Sequence, residues 1–90
     1  MELESLPGGD LIADGLTDLA VGNETVPALR VSIGAPRLRL LGWYLPRTIA
    51  RPEERLYERL AALHGDGAHS RYNALIRKLV SFQRAAACAR

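Results

Sequence analysis

From Ala68 to Ala89 the chain carries neither glycine nor proline, and no other stretch is long enough for about six helical turns. At the spacing i, i+3, i+4, i+7, Ala68, Tyr72, Leu75, Ile76, Leu79, Phe82 and Ala86 fall on one stripe. Ser70, Ala74, Arg77, Ser81 and Arg84 fall opposite. A helix with one oily side is not stable alone in water, so the preceding segments are expected to cover that stripe. The expected fold is therefore all-α: a small single domain of four to five helices with a C-terminal antiparallel helical hairpin.

The partner in that hairpin begins at Pro52-Glu53-Glu54. Proline suits the first helical position, and the two carboxylates lie near the positive end of the helix dipole. Leu56, Leu60 and Leu63 form its inner face, flanked by Tyr57 and His64. Gly65 ends it and Asp66 is placed to cap the last helix, so His64 to Gly67 reads as a tight turn.

The N-terminal half is built from shorter pieces. Residues 1–9, with Pro7-Gly8-Gly9, read as a flexible tail before a single helical domain spanning 10–90. Asp10 is the expected N-cap of a helix running to about Val21, with Ile12, Gly15, Leu16 and Leu19 on its apolar face. Gly22-Asn23 is its expected stop. Thr25 or Asn23 caps a second helix that tolerates Pro27 in its first turn and turns Val26, Leu29 and Ile33 inward. Pro36 predicts a break, after which 36–41 resumes as a short helix ending at Gly42. Residues 42–51 carry two aromatics and are too apolar for a solvated linker. They read as a packed loop that sends Trp43 and Leu45 into the core.

Composition bounds the rest. Ninety residues make one domain, and 48% apolar with 24% charged residues argues against disorder. No apolar run reaches the roughly 18 residues of a membrane span, so no membrane partner is expected. No basic residue precedes Arg30, which argues against a secretory or transit peptide. A single cysteine, Cys88, allows no internal disulfide and points to a cytoplasmic location. The net charge of +2 conceals an asymmetry, because residues 1–26 hold six acidic and no basic groups while the remainder holds all 12 basic ones. The acidic part is expected to fold back on the basic part, with Asp10, Asp14 and Asp18 facing the basic groups of the last helix.

Candidate chemistry is sparse. His64, Asp66, His69 and Asn73 cluster around a turn, but their spacing matches no zinc pattern and a fourth ligand is missing; neither metal nor cofactor is expected. Arg59 and His64 have an Arg-x4-His spacing similar to that of some helical metal-independent ribonucleases, with a cation for the phosphate and an imidazole for proton transfer. Residues 25–42 could form a degenerate helix-turn-helix using Arg37 and Arg39, though the second helix is under two turns. With Arg77 and Arg84, these define the nucleic-acid-binding alternative. Tyr57 with Tyr72, and Trp43 with Phe82, are assigned to packing.

No nucleophile–base pair or glycine-rich phosphate loop is present, so an enzyme is disfavoured and no catalytic residue is assigned. The reading is a small non-enzymatic interaction module. It acts on an unidentified protein partner or as a homodimer, through a surface containing Trp43 and Tyr44.

Overall fold

The computed structural model describes Leu6 and residues 8–89. Five α-helices follow in order: α1 (Gly9–Ala20), α2 (Val26–Ile33), α3 (Ala35–Leu40), α4 (Pro52–His64) and α5 (Ala68–Ala89). No strand occurs among the described residues. Most of the expected tail, residues 1–5 and 7, lies outside them. Leu6 packs against the core, and Gly8 precedes α1 with a φ of 75°. Asp10 is therefore not the N-cap; it lies one position inside the helix, because glycine at 8 reaches the left-handed region and lets the helix start at Gly9.

Two helix ends follow the glycine signals closely. After α1, Asn23 N–H donates to the Asp18 carbonyl (2.8 Å) and Gly22 N–H to that of Leu19 (3.1 Å). Gly22 sits at a φ of 81°, so this is a Schellman stop. The same pattern closes α3: Trp43 N–H donates to the Leu38 carbonyl and Gly42 N–H to that of Arg39, both at 3.1 Å. This second stop aims the Trp43 indole at Phe82, with ring centroids 5.3 Å apart. Between the two, Thr25 caps α2: its hydroxyl oxygen accepts from Ala28 N–H (3.2 Å), and its O–H donates to the Asp18 carboxylate (2.6 Å). The break at Gly34 also falls where Pro36 places it.

The short second helix lies at the centre. Ala28, Leu29, Arg30, Val31 and Ser32 are consecutive and all buried, so α2 has no solvated face. The expected inward set of Val26, Leu29 and Ile33 was too narrow; Val26 and Ile33 are only half-buried. Helix α1 approaches α2 so closely that a Cβ at Gly15 would come within 2.5 Å of the Pro27 carbonyl oxygen, and nearer still to a Val31 methyl. On another side, Gly34 presses on Leu79 and Gln83 of α5, and the Gln83 amide donates to the Gly34 carbonyl (3.2 Å).

Two apolar clusters meet around this hub. One joins Ile12, Val31, Ala35, Leu38, Leu45, Leu79, Phe82 and Ala86; the other joins Leu29, Leu56, Leu60 and Ala68, with Tyr72 and Leu75 against it. The stripe read on α5 is the buried one at Ala68, Leu79, Phe82 and Ala86. Residues 52–89 are helical throughout, α4 passing into α5 through the 3-10 turn Gly65–Gly67 rather than an open loop. The result is one globule with extents of 38 × 25 × 18 Å. Among the described residues no helix is long and apolar enough to cross a membrane.

The loop 41–51 is pinned at two points. Arg39 Nε and Nη2 donate to the Leu45 carbonyl at 3.0 and 2.7 Å, and Ile49 N–H donates to the Ser32 hydroxyl at 3.1 Å. Leu45 is buried and Trp43 half-buried, while Tyr44 between them points outward, 84% exposed.

Candidate functional site

Two places on the molecule depart from an ordinary helical globule. The first is a groove of ≈ 210 Å³ between the end of α1 and the pinned loop, lined by Leu16, Leu19, Ala20, Tyr44, Leu45, Pro46 and Arg47. It follows directly from local structure: the Schellman stop turns the chain after α3, Arg39 holds the Leu45 carbonyl, and Tyr44 is left standing at the rim. Leu40 (79% exposed) and Val21 are also large apolar side chains at the surface. Trp43 itself is engaged with Phe82, so of the Trp43–Tyr44 pair it is Tyr44 that faces solvent.

The second is Arg30. It is 1% exposed, and its Nε, Nη1 and Nη2 are all buried without a hydrogen-bond partner. Burial pushes its guanidinium below the usual arginine range, with the Asp10 carboxylate opposing that shift. A buried cation with no hydrogen-bonded counter-charge costs several kcal/mol, so such a group needs a reason. The sequence reading passed over it. The available signal was that in Val26–Ile33 every helical face carries an apolar residue, leaving Arg30 no polar side on which to emerge.

The other candidates are dispersed or occupied. Arg59 Nη2 donates to Glu24 Oε2 at 3.3 Å, and Arg55 contacts Glu24 Oε1 at 2.6 Å. That arrangement lowers the Glu24 carboxyl below its ordinary range, chiefly through the Arg55 hydrogen bond, with burial opposing. His64 is exposed and lines a cleft with Val26, Leu60 and Arg71, while Arg59 is engaged with Glu24. Asn73 Nδ2 lies 3.2 Å from His69 Nε2 at the surface. Among the described residues no three His, Cys, Asp or Glu side chains gather as metal ligands.

Arg37, Arg39, Arg77 and Arg84 are all exposed. Arg39 is committed to the Leu45 carbonyl, and α3 has only six residues. Arg77 lines a third cleft, with Lys78 and the start of α1. The expected pairing of Asp10, Asp14 and Asp18 with basic groups of α5 is not what the structure shows. Among the described residues the ion pairs are Glu24 with Arg55 and Arg59, and Arg51 with Glu54. The acidic N-terminal part does meet basic residues, but through Glu24 and on α4.

Comparison with protein-family models, curated proteins and solved structures finds no significant match.

Proposed function

We propose that this protein is a small non-enzymatic helical interaction module that works through protein–protein contacts, with Tyr44 at the centre of the contact. The observation that carries this is the 84% exposure of Tyr44 beside an apolar groove, on a loop pinned by Arg39 and Ser32. An exposed tyrosine on a rigid support is a suitable anchor, because it offers a large contact area and loses little freedom on binding. We further take α4 and α5 to be an antiparallel pair. The rings of Tyr57 and Tyr72 approach to 5.7 Å, and Leu56, Leu60, Ala68 and Leu75 share one cluster.

The simplest partner is a second copy of the chain, since a groove and an exposed ring on one surface can pair about a two-fold axis. Sedimentation over a wide concentration range tests this with no partner in hand. Dimerisation that Tyr44→Arg abolishes without changing thermal stability supports the reading. A monomer at every concentration removes self-association. Dimerisation that survives Tyr44→Arg removes the Tyr44 surface.

A further inference from the structure

Helix α5 is left with charges that its neighbours do not answer. Its 22 residues hold Arg71, Arg77, Lys78 and Arg84 and neither aspartate nor glutamate. All four cations are exposed, and among the described residues none of them forms an ion pair; the acidic N-terminal part meets α4 instead, through Glu24. Arg71 and Lys78 are seven apart, as are Arg77 and Arg84, so each pair stacks two turns apart along one flank of the helix. From first to last they span about 20 Å. Between the flanks lie Ser70, Ala74, Ser81 and Ala85, short side chains that let a partner come close to the helix. Of the clefts beside this face, that of Arg71 and Lys78 with His64 is lined by no carboxylate, and that of Arg77 and Lys78 by one, Asp10. Arg30 takes no part, since its guanidinium is sealed from solvent.

We propose that this outward face of α5 lies along the phosphate backbone of a double-stranded nucleic acid, without reading its base sequence. About 20 Å of duplex carries roughly 12 phosphates, so cations held along a rigid helix of that length meet anions on both flanks. The hydroxyls of Ser70 and Ser81 between them are further donors for phosphate oxygens. A single strand would call for exposed rings on which its bases stack. The aromatics of α5 are turned away from this face: Tyr72 packs on Tyr57, and Phe82 is buried against Trp43. A protein partner would call for an apolar, desolvated centre, and such interfaces are poor in lysine, serine and alanine, the residues that this face presents. The inference is independent of the Tyr44 surface.

The test is fluorescence anisotropy of a short labelled duplex of arbitrary sequence, titrated with the whole chain over a range of salt. Four phosphate contacts predict that log Kd rises with log salt at a slope of about 3.6, or roughly 150-fold weaker binding for a fourfold increase in salt. The double variants Arg71→Ala/Lys78→Ala and Arg77→Ala/Arg84→Ala should each lower the slope by about 2. Both should keep the wild-type Tm, since the side chains removed are exposed and alanine favours the helix. Arg37→Ala/Arg51→Ala removes the same charge from outside α5 and should keep the full slope. DNA and RNA duplexes are both tried: binding of either supports the proposal, and the tighter names the natural form. Absence of salt-dependent duplex binding overturns it. So does an equal loss of slope in Arg37→Ala/Arg51→Ala, which would make net charge the cause, or tighter binding to a single strand. Displacement of the duplex by an equal charge of poly-glutamate also overturns it, since the face would then suit an acidic protein.

Discussion

Replacing Gly15 with alanine is the sharpest probe of the packing. In an isolated helix the change favours folding by about 1 kcal/mol, because glycine is the poorer helix former. In this fold the added methyl has no room. It would sit 2.5 Å from the Pro27 carbonyl oxygen, 2.9 Å from the carbonyl carbon, and closer still to a Val31 methyl. The obstruction is mainly backbone, in the first turn of a helix enclosed on all sides, so it yields only if α1 moves away from α2. Overpacking of this kind costs about 1–3 kcal/mol, and a backbone obstacle puts Gly15 at the upper end. Subtracting the helix-forming gain leaves a net loss of about 2 kcal/mol, or roughly 10 °C in Tm for a domain of this size. Gly67→Ala is the matched control. Its Cβ would meet nothing nearer than the His64 Cβ at 3.7 Å, so it should be neutral or slightly stabilising. Thermal unfolding followed by circular dichroism reads both. A Gly15→Ala protein as stable as the wild type would refute the close contact of α1 with α2.

Two further predictions concern polar contacts. Because Arg55 and Arg59 hold the Glu24 carboxyl below its ordinary range, its contribution is complete at neutral pH and is lost as pH falls through that lowered value. The Tm difference between wild type and Glu24→Gln should therefore be constant above about pH 5 and shrink in more acidic solution; a difference that grows on acidification would contradict the pairing. Arg39→Met removes both hydrogen bonds to the Leu45 carbonyl, and the partly exposed site suggests a loss of about 1 kcal/mol. Denaturant unfolding should show that loss, with Trp43 fluorescence shifting as the loop loosens; an unchanged midpoint and spectrum would mean that the loop is held by other contacts.

The parts of the fold visible in the sequence are those set by local chemistry. The α5 stripe shows because 22 residues give its period many repeats. The stops at Gly22 and Gly42 show because glycine reaches positive φ without strain, and Thr25 shows because its hydroxyl caps three residues ahead. The cap assigned to Asp10 failed for the same kind of reason, since Gly8 offers a cap that needs no side chain. What stayed hidden depends on how the pieces assemble. An eight-residue helix with apolar groups on every side has no preferred face, so nothing local marks α2 as the centre or Arg30 as buried. Likewise the partners of Glu24 lie 31 and 35 residues away, and only the packing of α2 against α4 brings them together. Of the candidate surface, Tyr44 was legible as an aromatic in a loop. Its outward direction was not, because that follows from the way α3 ends.

The enclosure of α2 has a consequence for how the molecule comes apart. A helix in contact with α1, α4 and α5 at once has no route to solvent that leaves its neighbours in place. Its amide protons should therefore be the last to exchange with deuterated water, at the rate set by opening of the entire chain, whereas the outer ends of α1 and α5 can fray without it.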